Sequence, residues 1–147
     1  MERRRLWRLA RWPVLVVGVV FVAIQLVPYG WRHPNPRVIA DAPWPTAESE
    51  RIARSSCYGC HSNETDWPLY SYVAPMSWLV RSDVEQGRDE LNFSDWDDDA
   101  DEADDAIETI LEGSMPPDRY TMIHRGATLT DAEAEELIRA LQQIVDD

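Results

Sequence analysis

The chain has no lysine, and its 147 residues include only two cysteines, three histidines and two phenylalanines. Two cysteines cannot build a multi-bridge disulfide framework. Together with three histidines, of which His33 lies beside an apolar run, they also leave too few nitrogen and sulfur donors for a closed four-ligand zinc site. Nothing around the cysteines is strand-like, which removes the βαβ setting expected of a thioredoxin-like pair. Basic charge is scarce as well: from residue 32 onward nine arginines face 26 acidic residues, and the whole chain carries a net charge of −13. So acidic a region argues against nucleic acid or anionic lipid as its partner and for a basic protein partner or plain solubility.

The two cysteines form one motif, Cys57-Tyr58-Gly59-Cys60-His61. A C-x-x-C-H run is the pattern of covalent haem c attachment. Two thiols at this spacing reach the two vinyl groups of one porphyrin, and the following histidine is set beneath the iron. Cys57 and Cys60 are thus candidate thioether anchors and His61 the candidate proximal ligand. A small domain of about 100 residues buries a marginal core by itself, and an apolar macrocycle would supply part of the missing interior.

Five arginines at positions 3, 4, 5, 8 and 11 precede an apolar run between Trp12 and Tyr29. As a helix that stretch would reach about 27 Å, close to the hydrocarbon thickness of a bilayer. Trp7 and Trp12 at one end and Tyr29 and Trp31 at the other suit interfacial belts, and the arginines place the N-terminus in the cytoplasm. No small-x-small cleavage site follows at the proper distance, so the run reads as an uncleaved anchor rather than a signal peptide. The expected organisation is a basic cytoplasmic N-terminus (residues 1–11), a transmembrane helix (12–29), a proline-rich extended tether (30–45) and a haem c domain (46–147) outside the cytoplasmic membrane.

Within that domain, Thr46 caps a short helix that delivers Cys57 at its end. Trp67, Tyr70, Tyr72 and Trp78 follow the motif as candidates for the porphyrin edge, each with a flat apolar face and a polar tip. Pro75 opens a helix to about Leu91, with Trp78, Leu79, Val84 and Leu91 as buried candidates. Eight acids crowd residues 95–105. They read as a solvated block or a partner surface, because a calcium loop would need a central glycine that is missing. Gly113-Ser114-Met115-Pro116-Pro117 supplies a thioether on a loop stiffened by prolines, which makes Met115 the expected distal ligand, with His124 its rival and Met76, Met122 or an open site as the remaining alternatives. Thr130 and Glu133 form a capping box, and Leu137, Ile138 and Leu141 mark the apolar face of a C-terminal helix.

Several segments together resemble the haem-binding domain family of small, membrane-anchored, monohaem c-type cytochrome-like proteins. They are Cys57 to Thr65, Trp67-Pro68, Tyr70-Ser71, Ala74-Pro75, Ser77-Trp78-Leu79, Gly87-Arg88, Leu91-Asn92-Phe93-Ser94, Trp96, Met115-Pro116-Pro117, Tyr120 and His124. Leu69 and the long acidic stretch depart from the family pattern. The resemblance implies one covalent haem c in an extracytoplasmic helical domain. The expected fold is therefore all-α and cytochrome c-like, on one N-terminal transmembrane helix. The expected role is single-electron transfer with a redox protein partner rather than enzymatic turnover. A haem-based sensor with a displaceable sixth ligand, or a small peroxidase-like enzyme, are the rivals.

Overall fold

The computed structural model describes the backbone of residues 2–96 and 102–146 and the side chains of residues 11–96 and 102–145. Among these residues the chain is all-helical, with no strand and a single isolated bridge between Ala40 and Asp95. Six α-helices follow one another: α1 (Glu2–Ile24), α2 (Ala47–Ser56), α3 (Met76–Glu90), α4 (Ala103–Leu111), α5 (Asp118–Thr121) and α6 (Asp131–Asp146). Contacts divide the chain into two units. The first joins the residues up to His33 with Pro68–Arg81, and the second joins Pro34–Trp67 with the residues from Ser82 onward.

In the first unit, α1 differs from the helix expected over residues 12–29. It starts earlier, through the arginine-rich stretch, and stops at Ile24. There the amides of Gln25, Leu26 and Val27 turn back onto the carbonyls of Val22, Ala23 and Ile24 at 3.1–3.3 Å, just before Pro28, which has no amide to donate. Among the described residues no helix is long and apolar enough to cross a membrane. The chain leaving α1 docks onto the 68–81 segment. Gln25 acts as a peptide mimic: its amide nitrogen donates to the Ala74 carbonyl at 3.0 Å, and its carbonyl oxygen accepts from the Ala74 amide at 2.9 Å. The Tyr72 ring lies 4.1 Å from the His33 ring, and His33 Nε2 lies 2.9 Å from the Ser71 carbonyl.

In the second unit, α2 forms because Thr46 is extended and its hydroxyl accepts from the Ser49 amide, while Ser49 returns a bond to the Thr46 backbone. The capping box expected at α6 is present, with the Thr130 amide donating to Glu133 and the Glu133 amide to Thr130. Helix α6 packs on α4 and α2. Ile52, Ile107, Leu137 and Leu141 meet there in a core completed by Tyr58, Phe93 and Trp96. Burying one such aliphatic side chain contributes about 1.5–3 kcal/mol.

The tether expected over residues 30–45 is corrected from residue 34 onward. Its side chains are mostly exposed, but its backbone is pinned to the second unit. Ile39 and Ala42 donate to the carbonyls of Ser94 and Phe93 at 2.9 Å, Trp96 donates to the Ala40 carbonyl, and Asn63 Nδ2 donates to the Arg37 carbonyl. Helix α3 also ends close to expectation, but Leu79 is exposed rather than buried. Residues 97–101 of the acidic block lie outside the described residues.

Candidate functional site

The C-terminal turn of α2 runs into Cys57, whose amide still bonds the Ala53 carbonyl, and the Cys60 and His61 amides both return to the Cys57 carbonyl at 3.0 Å. The motif is therefore one compact turn that continues the helix. Two glycines let other elements close on it. A side chain at Gly87 of α3 would place its Cβ 2.9 Å from the Cys60 carbonyl oxygen, and one at Gly59 would meet the Tyr120 hydroxyl at 2.6 Å. Absence of a Cβ at these two positions is what permits the approach.

His61 is held by its surroundings. Its Nδ1 lies 3.0 Å from the Leu91 carbonyl, an acceptor only, so Nδ1 carries the proton and Nε2 keeps the lone pair. A histidine whose second nitrogen donates to a backbone carbonyl is the arrangement that orients an imidazole toward a metal. Burial lowers the imidazole pKa, partly opposed by the Leu91 and Gly87 carbonyls, which favours the neutral form that a ligand needs. The Phe93 amide in turn bonds the His61 carbonyl at 2.9 Å, and the Phe93 ring lies 6.5 Å from the imidazole. Phe93 also stacks near Tyr58 and Trp96, so the histidine is coupled to the hydrophobic core.

The loop after the motif is locked by polar contacts. Arg88 donates to the Ser62 carbonyl at 2.7 Å, to the Thr65 hydroxyl at 2.9 Å and to the Pro34 carbonyl at 3.0 Å. The Asn63 amide donates to Ser94 Oγ, and Asn92 donates to Asn63 Oδ1. Both cysteines are free thiols. Burial pushes Cys57 up to about 12 and Cys60 up to about 11, so both are neutral.

Cys57, Cys60, His61 and Met115 line one cavity of about 420 Å³. Its apolar wall comes from Leu91, Phe93, Ile110, Leu129, Leu137 and Leu141. Pro116 and Pro117 hold the chain beyond Met115 at the same wall, and Met115 itself is 38% exposed. Arg119 is the one cation among the described lining residues, which also include four carboxylates, Asp83, Glu90, Glu102 and Asp105; its Nη2 bonds Asp83 at 2.9 Å. The volume is within the usual range of about 300–1,000 Å³ for small-molecule sites. A neutral imidazole with one ring nitrogen uncommitted, a thioether, two thiols and an apolar wall suit an iron porphyrin.

The four expected porphyrin contacts are not part of this lining. Trp67 instead donates its indole N–H to Asn35 at 3.0 Å, and Tyr70, Tyr72 and Trp78 belong to the other unit. His124 is not in the lining either: its ring stacks on Tyr120 at 4.4 Å, and Tyr120 takes the lining position. Met122 is exposed, and neither it nor Met76 is a lining residue. The lining residues that the aromatic pattern did not single out are Phe93 and Tyr120. Both lie in short motifs, Leu91 to Ser94 and the stretch after Pro117, that punctuate helix ends.

A family model described as a haem-binding domain matches residues 19–143. The chain is also similar to cytochrome c peroxidase Ccp of Escherichia coli (strain K12), 26% identical over 137 residues, which is 84% of this chain and 30% of that protein. The chain thus spans less than a third of this relative's length. No solved structure matches.

Proposed function

Because the chain belongs to the haem-binding domain family, we propose that it is a monohaem, c-type cytochrome-like electron carrier. The observation that carries this reading is the gathering of both cysteines, His61 and Met115 around one apolar cavity. Bound there, the haem supplies a one-electron iron couple. Cys57 and Cys60 would tether the porphyrin through thioethers, His61 Nε2 and the Met115 sulfur would hold the iron, and Arg119 would be the cation available to a porphyrin carboxylate. Leu91 fixes the imidazole through its carbonyl, and the leucine and phenylalanine wall keeps water from the iron. A His/Met pair raises the potential relative to two histidines, which suits a carrier on the oxidising side of an electron-transfer chain. The fold around it is cytochrome c-like in this reading.

The partner is a redox protein with a basic face, because the second unit carries 26 acids against seven arginines and such a field steers cationic partners. The protein sits on the cytoplasmic membrane as a single-pass protein, with its N-terminus inside and the haem domain outside. Support for this comes from the arginines before Trp12 and from the exposed apolar side chains of Val14 to Val22.

The peroxidase relative favours a second reading, in which Met115 leaves and the open iron reacts or senses a small ligand. A peroxidase also needs a distal acid or base, and His61 is the one histidine among the described lining residues. The test is expression in a host that matures c-type haem. The wild type should keep one haem per chain through denaturing extraction, and Cys57→Ser with Cys60→Ser should lose it. Haem that extracts freely from the wild type would remove the c-type assignment, and ready carbon monoxide binding to the reduced protein would favour the second reading.

A further inference from the structure

We infer that the segment Leu69–Leu79 is a second membrane contact, seated in the headgroup and outer acyl zone of the bilayer beside the exit of α1. The inference rests on α1 being the membrane anchor. Its starting point is a shortfall: the uncharged part of α1, Trp12 to Ile24, has 13 residues and spans about 20 Å at 1.5 Å per residue. A bilayer hydrocarbon core is about 30 Å thick. A helix this short leaves a mismatch that the neighbouring chain must fill or the bilayer must absorb by thinning.

The structure supplies the filling. Leu69 is 87% exposed and Tyr72 60% exposed, and Val73 and Leu79 are exposed as well. On the other strand of chain in the same unit, Val27, Tyr29 and Trp31 are exposed. The two strands are fixed to each other at named points. Gln25 holds both polar groups of Ala74, His33 holds Ser71 and Tyr72, and Gly30, at φ +82°, lies so close to Ser77 that a Cβ would approach its carbonyl oxygen to 2.6 Å. The bidentate Gln25 bond starts at the residue immediately after α1. Leu69, Tyr72 and Val73 are therefore held at the level where the apolar helix ends.

Chemistry selects lipid as the occupant. The patch continues the exposed apolar surface of α1. Residues 68–81 hold no acid at all and one arginine, Arg81, in a chain with 27 acidic residues. Tyr29, Trp31 and Tyr72 carry an apolar body with a polar tip, the type enriched at membrane interfaces. Arg32, exposed at the edge, can lay its stem along the patch and keep the guanidinium among headgroups. An exposed patch of this kind marks an interaction surface, and its continuity with a membrane helix points to the bilayer.

The test uses the full haem-loaded chain in phosphatidylcholine–phosphatidylglycerol vesicles, with one fluorescent amino acid replacing either Val20 or Leu69 and quenchers attached to lipids at two depths. The expected result is that deep quenchers act most on position 20, shallow quenchers act most on position 69, and aqueous iodide reaches position 69 far less in vesicles than in detergent-free water-exposed peptide. Quenching at 20 with position 69 open to iodide overturns this inference and leaves the anchor intact. Loss of lipid quenching at both positions overturns the anchor reading and the inference with it. Self-quenching between copies at position 69 at low protein-to-lipid ratio would mean that a second copy covers the patch, which also overturns it.

Discussion

The two units divide the charge of the chain very unequally. The first holds seven of the 14 arginines and one of the 27 acids, a net charge of +6, whereas the second holds the other seven arginines and 26 acids, a net charge of −19. Their construction differs too. The second unit has an aliphatic and aromatic core with a cavity in it. The first presents its apolar side chains outward and is held by side chain-to-backbone bonds, above all those of Gln25. An average over the chain conceals this, since a net charge of −13 describes neither part. In the proposed reading, the contrast separates the region that meets the bilayer from the one that holds the cofactor and meets cationic partners.

If the division is real, substitutions should separate the two properties. The largest effect is expected at Gly87. In Gly87→Ala the new Cβ meets the Cys60 backbone at 2.9 Å, and backbone cannot move aside cheaply. Overpacking of this kind costs about 1–3 kcal/mol. Thermal melts should show the loss together with reduced haem content, while the share of protein in the membrane fraction stays the same.

Gln25→Ala should act in the opposite direction. It leaves the Ala74 amide and carbonyl without their partner, a loss of about 1–3 kcal/mol confined to the first unit. Hydrogen exchange should quicken at Ala74 and Ser77, and the haem spectrum should not change. A spectral change in Gln25→Ala, or altered exchange at Ala74 in Gly87→Ala, would blur the distinction drawn between the units.

A smaller effect concerns pH. Bonds from the Thr130 backbone and hydroxyl, then from Arg51, hold the Glu133 carboxyl below its ordinary value of 4.5. A carboxyl depressed in the folded state stabilises fully above its unfolded pKa and loses that contribution as pH falls through the folded value. Glu133→Gln should therefore melt lower than wild type at neutral pH. The gap should close in acid, once both proteins are neutral at that position.

Parts of this picture were legible in the sequence for a physical reason. Cys57, Cys60 and His61 define chemistry by local spacing, and Thr46, Thr130 and Glu133 mark helix starts through bonds no more than three residues long. Met115 lines the cavity, and a thioether before two prolines is a local pattern as well. What escaped depends on distant contacts. Trp67, Tyr70, Tyr72 and Trp78 follow the motif closely in sequence, yet none of them lines the cavity, and Trp67 bonds Asn35, 32 residues away. Phe93 reaches the site through a bond to His61, also 32 residues distant. The stretch from residue 34 looked like a free tether because prolines suppress periodicity. Its bonds to Ser94, Phe93 and Asn63 leave no mark in its own composition. The end of α1 was placed too late because hydropathy continues through Val27 after the helical bonds have stopped.

The central claim is that His61 and Met115 hold one iron between them. It is tested most directly by absorption spectra of the haem-loaded chain, oxidised and reduced, for the wild type, Met115→Ala and His124→Ala. The account predicts a far-red iron–methionine charge-transfer band in the oxidised wild type, lost in Met115→Ala and kept in His124→Ala. A high-spin wild type, or a spectrum altered by His124→Ala and indifferent to Met115→Ala, would contradict it.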